Sequence, residues 1–270
     1  MILKKLLWAF KRHPFLYISR FKLLSKNSRL EEISGCNYNS HNPKKQIPDY
    51  FKRINQDIFP KGRQESDLET VLQLSRWLKE HIPGGPGLSE PSDTALNTML
   101  SGRGGVCSDM AQIFNNFCVI NDILVREWGT TSAPFDKKFG GHSFNEVYIS
   151  QLKKWVLIDA SYNIVFYGKQ SQQPLSVIDM YQLKRAGQDI QFKTFNDGIK
   201  EVDKQIINKN YLNDRVTPFL ICNYKNKTYD AFLRFSGGAV PVFMTHFAIY
   251  LLGKSYHYKF PLDDYRNIFN

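Results

Sequence analysis

Cys107 follows the run Gly102-Arg103-Gly104-Gly105-Val106 and opens a stretch with helical apolar spacing. His142 comes after Gly140-Gly141, at the head of a strand-like run over Ser143–Ile149. Asp159 closes a second such run, Trp155–Asp159. A cysteine, a histidine and a carboxylate in this order are the parts of a thiol nucleophile. A free thiol has a pKa of about 8.5 and is mostly protonated at neutral pH. A helix N-terminus presents unpaired backbone N–H groups and favours the thiolate. An imidazole can take the thiol proton and later give it to the leaving group. A carboxylate behind the imidazole fixes its tautomer and favours its charged form.

These residues need a helix and a pair of strands to hold them. The spacing predicts a helix from about Val106 to Asn121, with Met110, Ala111, Phe114, Phe117 and Cys118 as its buried stripe. Cys118 lies about three turns beyond Cys107 on nearly the same face, which reads as a core position. His142, Phe144, Glu146 and Tyr148 share one strand face, and Trp155, Leu157 and Asp159 share another. An antiparallel pairing around residues 150–154 brings His142 and Asp159 roughly opposite each other. The backbone N–H of Cys107 is one expected oxyanion donor. Trp77 and Asn97 are candidates for the second. Asp109 suits the first turn of the helix or the site. Arg126 reads as half of a buried ion pair, with substrate binding as the alternative. Asn163 reads as a turn residue or as an orienting group near Asp159.

The ordered set resembles the transglutaminase-like superfamily. The residues that carry the likeness are Gly104, Val106, Cys107, Asp109, Ala111 and Phe114; Arg126; His142, Glu146 and Tyr148; and Trp155 and Asp159. It covers about residues 90–163, and the preceding helix with Trp77 fits the same core. The resemblance implies an α+β fold of the papain-like, transglutaminase-like kind, with a Cys-led helix on an antiparallel sheet. It implies acyl transfer through a thioester on Cys107, with an amine or water as acceptor. Cross-linkers, peptidases, peptide-N-glycanases and degenerate members share this superfamily, so the substrate stays open. A protease or amidase is one alternative, and a non-catalytic binding module is another. No acidic calcium loop is visible, and the chain is short for the calcium-dependent enzymes. A bacterial-type enzyme acting on a cell-surface polysaccharide or peptide precursor is the expected setting.

No cofactor and no metal are expected. The four cysteines, Cys36, Cys107, Cys118 and Cys222, are widely and irregularly spaced and suggest no zinc site. They suggest free thiols in a reducing compartment, hence a cytoplasmic protein. Gly253-Lys254-Ser255 has the tail of a phosphate-binding loop, but Ala248 stands where its first glycine belongs. The net charge of +11 favours an anionic partner. Nucleic acid ranks last, because the basic residues are scattered and form no recognition motif.

Along the chain, residues 1–24 form a basic amphipathic segment. Leu3, Leu6, Leu7 and Phe10 share a face, with Lys4, Lys5, Lys11 and Arg12 outside it. The segment is too short to span a bilayer, and no cleavage site follows it. Two readings stand: it lies on an anionic membrane surface, or its apolar face docks on the protein's own core. Residues 25–66 read as a connector with one short helix near 50–58. Residues 67–170 read as the catalytic core. Residues 171–270 read as a C-terminal extension packed on that core.

Overall fold

The computed structural model describes residues 14–136, 138–169, 171, 173–195, 204–236, 240 and 242–269. Eight strands form one mixed, mostly antiparallel sheet in the order β1-β8-β7-β2-β3-β4-β5-β6. The strands are β1 (Ser25–Asn27), β2 (Val125–Ser132), β3 (His142–Ile149), β4 (Lys154–Asp159), β5 (Ile164–Gly168), β6 (Ile190–Thr194), β7 (Val216–Cys222) and β8 (His257–Phe260). Among the described residues, β1 and β8 are the one strand pair that runs parallel. The architecture is α+β, with a Cys-led helix on the sheet.

The Cys107–Ile120 helix packs on one sheet face. Its Phe114, Phe117 and Cys118 are fully buried against Val147, Val156 and Ile158. Cys118 is thus a core residue. Asn145 fixes the helix to β3, donating to Ala111 O at 3.0 Å and to Asn115 Oδ1 at 2.8 Å. The other face carries Trp128, Phe144, Leu157 and Phe166. It is covered by Met180 and Tyr181 of the Val177–Arg185 helix and by Tyr211.

Two glycine-rich loops cross in front of the Cys107 helix. Gly84 bridges Gly105, and the Gly85 N–H donates to Gly105 O at 3.0 Å. A Cβ on Gly104 would stand 2.3 Å from Pro83 O, and Gly104 has φ +66°. Residues 83–87 are therefore more than a link between helices: they support the loop that delivers Cys107.

Residues 25–66 contribute β1, a buried Ile33 and Tyr38, and the Asp49–Ile58 helix with its fully buried Phe51. Beyond residue 170, β7 pairs with β2 and β8 pairs with β7. The sheet is continuous across the sequence boundaries at 66 and 170. Strand pairing joins distant segments through backbone hydrogen bonds that no local pattern announces.

In the amphipathic segment, residues 1–13 lie outside the described residues, and with them Leu3, Leu6, Leu7 and Phe10. The Pro14–Leu24 helix delivers Phe21 onto Phe219, Tyr258 and Phe260. Leu24 packs with Tyr229 and Ile249. The docking reading holds for these two side chains. Leu23 points outward, 51% exposed.

Candidate active site

Cys107 is the first residue of its helix, so its N–H has no intrahelical acceptor. Asp109 completes the start of that helix. Its Oδ2 accepts from Val106 N at 3.1 Å and from Leu88 N at 3.2 Å. Asp109 is thus a cap that also ties down the approaching chain.

His142 begins β3. Gly141 before it has φ +71°, and a Cβ there would sit 2.9 Å from Thr130 O. The β3–β4 register pairs Asn145 with Ile158 and Ile149 with Lys154. Continued, it places Asp159 across from Phe144 and leaves His142 one step further along the same face. The two residues are diagonal neighbours, not direct opposites, which an imidazole can span. His142 Nε2 meets Asp159 Oδ2 at 2.7 Å. With Nε2 committed, Nδ1 is the nitrogen left for the thiol.

Alternation puts His142 and Asp159 on the sheet face away from the Cys107 helix. The thiol reaches the imidazole because both stand at ends, one at a helix start and one at a strand start. Burial alone would push the Cys107 thiol up. The imidazole's hydrogen bond and charge, with the Ser143 N–H, more than offset this and hold the thiol below its ordinary range. For His142, burial would lower the pKa, but the Asp159 carboxylate and the Cys107 sulfur hold it up at about 10. The opposite shifts favour a thiolate beside an imidazolium.

Asp159 is fully buried. Its Oδ2 also accepts from Tyr211 Oη at 2.6 Å, and its Oδ1 accepts from Ser161 N at 2.8 Å. Tyr162 stacks on the imidazole at a centroid distance of 5.1 Å. Sequence reasoning missed Tyr211, which stands 52 residues beyond Asp159 in a stretch with no motif. A buried tyrosine next to a carboxylate is visible only in three dimensions.

Trp77 and Asn97 do not reach the site. Trp77 stacks on His81, and Asn97 accepts from Tyr50 Oη at 3.3 Å. Asn163 adopts φ +53° and accepts from Ser75 Oγ at 2.6 Å, the part of a turn residue held by a neighbouring helix. Arg126 pairs with Glu146 at 2.6 Å, both buried. No group of three or more candidate ligands for a metal ion occurs among the described residues.

A cavity of about 650 Å³ opens beside Cys107 and His142. One wall is Glu127, whose carboxylate accepts from Gln112 and, at 3.2 Å, from Asn115. Burial, with the charges of Cys107 and Asp109, outweighs those bonds and raises Glu127 to about 8. The far wall comes from beyond residue 216 and includes Tyr224, Tyr229 and Tyr256.

Residues 52–160 match the family model of the Transglutaminase-like superfamily. This stretch is similar to a transglutaminase-like core. It begins well before the motifs around Cys107 and ends just after Asp159. Among solved structures, one match is a Cytophaga hutchinsonii protein described provisionally as a cysteine protease. It is 24% identical, with a TM-score of 0.33, over 42% of this chain. The chain spans 37% of that protein's length. Among curated proteins, none matches this chain. The transglutaminase-like match supports a cysteine-type enzyme of that superfamily. Among the described residues, no helix is long and apolar enough to cross a membrane.

Proposed function

We propose that Cys107, His142 and Asp159 work as nucleophile, acid–base and orienting carboxylate in an acyl-transferring thiol enzyme. The observation that carries this reading is the chain from a half-buried thiol to a buried imidazole and a buried carboxylate, with thiol and imidazole shifted in opposite directions. The Cys107 thiolate attacks the carbonyl carbon of an amide or other acyl group. The carbonyl π electrons move to oxygen, and the Cys107 N–H is placed to hold that oxyanion. The His142 imidazolium gives its proton to the leaving group as the acyl bond breaks, leaving a thioester on Cys107. An amine or water then attacks the thioester while imidazole takes its proton, and the thiolate is released. Asp159 and Tyr211 keep the ring oriented through both steps.

The acceptor divides this reading into a transferase and a hydrolase of the protease or amidase kind. Cell extract incubated with the protein and then denatured in acid is expected to leave an acyl mass on the Cys107 peptide. Cys107→Ala abolishes it. An added primary amine is expected to discharge the adduct as an amide if transfer is the reaction. Water alone discharges it if hydrolysis is. An extract that leaves no Cys107-dependent adduct would count against the acyl-enzyme.

A cytoplasmic protein held at an anionic membrane surface fits the basic, apolar composition of residues 1–13 and the net charge of +11. Phe21 and Leu24 belong to the core, so a deletion that tests this stops at residue 13. The full chain is expected to float with anionic liposomes, weakened but not abolished by salt. Equal flotation without residues 1–13 removes the anchor from this reading. A polysaccharide or peptide precursor at that surface is the substrate setting we favour.

A further inference from the structure

We infer that the acyl substrate of Cys107 carries an anionic group away from its reacting carbonyl, and that Arg20 binds that group. The inference rests on Cys107 being the nucleophile and adds a specificity residue to it.

Nine buried side-chain polar atoms lack a protein partner among the described residues. Five of them belong to residues lining the Cys107 cavity: Arg20 Nε, Gln112 Oε1, Asn116 Nδ2, Thr130 Oγ1 and His246 Nδ1. Buried polar groups are rarely left unpaired without a reason. Their concentration around one cavity points to a polar ligand that completes them.

The charges in that cavity are unevenly spread. Asp109 is bonded to the start of the Cys107 helix, and Glu127 to Gln112 within it. Asp230 holds Ser92 through its N–H at 2.9 Å and its hydroxyl at 2.6 Å. Burial raises these three carboxyls, and the fourth in the lining, Glu90, accepts from Thr98 Oγ1 at 2.7 Å. Arg20 stands among the tyrosines of the far wall. Its guanidinium carries five N–H donors, and the described residues engage it through one hydrogen bond, from Nη2 to Tyr256 Oη. It lies over the Tyr256 ring, 5.8 Å from the centroid. No carboxylate among the described residues forms an ion pair with it. His246 lines the same cavity and is held neutral, with a pKa lowered to about 3 by burial and the Arg20 charge. A guanidinium with spare donors, a neutral imidazole and a tyrosine hydroxyl make a receptor for a carboxylate or phosphate.

The test uses tethered electrophiles on the full chain at pH 7. Iodoacetamides are prepared with an N-alkyl tether of two to eight carbons ending in a carboxylate, a phosphonate or an uncharged carboxamide. Modification of the Cys107 peptide is followed by mass. At one tether length an acid-ended reagent is expected to react about tenfold faster than its carboxamide, the scale of one charge-assisted contact. The better of the two acids identifies the group. Arg20→Gln should bring that ratio to about one, and Arg20→Lys should restore part of it. The ratio is read within each protein, so a general loss of reactivity does not affect it. Should Arg20→Gln not fold, suppression of the wild-type ratio by salt and its partial retention in Arg20→Lys read the same contact. A ratio near one at every tether length, or an unchanged ratio in Arg20→Gln, overturns the assignment to Arg20 and leaves the nucleophile standing. If Cys107 reacts with none of the reagents, the nucleophile reading fails and takes this inference with it.

Discussion

Cys107 is expected to alkylate with iodoacetamide faster than an ordinary thiol at pH 7, and His142→Ala to slow it several-fold. The slowing follows from the thiolate fraction: a thiol returned to a pKa of about 8.5 is only about 3% ionised at pH 7. Burial pushes the lone thiol higher still, which deepens the loss. Cys107 is lowered, so its reactivity is present above its own pKa and lost as pH falls through it. His142 is raised to about 10, so acyl transfer, which needs the imidazolium proton, falls off as pH rises toward 10. Simple alkylation needs no such proton and should stay fast there.

The other cysteines provide internal controls. Cys36 touches the Cys222 thiol and lies 3.8 Å from Lys259 Nζ. The Cys222 hydrogen bond, then the Lys259 and Arg126 charges, outweigh burial and bring Cys36 down to about 6. Cys36 should therefore label at neutral pH as well, and His142→Ala should leave it unchanged. Burial raises Cys118, and the Cys36 contact together with burial raises Cys222; neither should label in the folded protein. Equal slowing of Cys36 and Cys107 in His142→Ala would show a general loss of structure instead of a lost acid–base partner.

Glu146→Ala is expected to destabilise the fold by about 3–5 kcal/mol, the scale for leaving one member of a buried ion pair alone. Glu146 is fully buried and holds three groups. Oε2 takes Arg126 Nε at 2.6 Å and Trp128 Nε1 at 2.7 Å, and Oε1 takes Val177 N at 2.7 Å. Arg126 also donates to Ile33 O at 3.2 Å and lies 4.1 Å from the Trp155 ring centroid. One carboxylate thus joins β2, β3 and the Val177–Arg185 helix, four residues along the strand from His142. Denaturant midpoints measure the loss. The double variant Arg126→Met with Glu146→Leu should recover part of it, because no charge is then left unpaired. A cost for Glu146→Ala below about 1 kcal/mol, the value of an exposed pair, would show that this pair does not hold the sheet.

The local chemistry was legible in the residues alone. Cys107 at a helix start, His142 after two glycines and Asp159 at a strand end each follow from short-range pattern: apolar period, turn residues and alternation. Two strands joined by so short a link pair with each other, so alternation alone places His142 and Asp159 on one face. It does not fix the offset between them. Register depends on the turn actually formed, in which Lys153 takes φ +51°, and it sets the pair one step apart.

The rest was decided by segments far apart in the chain. Tyr211 reaches Asp159 because residues 204–212 fold over the sheet face that carries it. Neither the tyrosine nor its spacing marks it for that task. The far wall of the cavity exists because β7 pairs with β2, a choice among several apolar strands of similar pattern. Residues 25–66 read as a connector because polar and turn-forming residues dominate them, yet β1 finds an edge on β8. Arg20 stood in a segment legible only as basic and amphipathic. Packing Phe21 and Leu24 onto the core turned it toward the Cys107 cavity, because side-chain direction on a helix is fixed once its neighbours are buried. The sequence by itself determined which groups are candidates for the chemistry. Long-range strand pairing and helix docking decided what surrounds them, because those contacts depend on surfaces that exist only after the chain has folded.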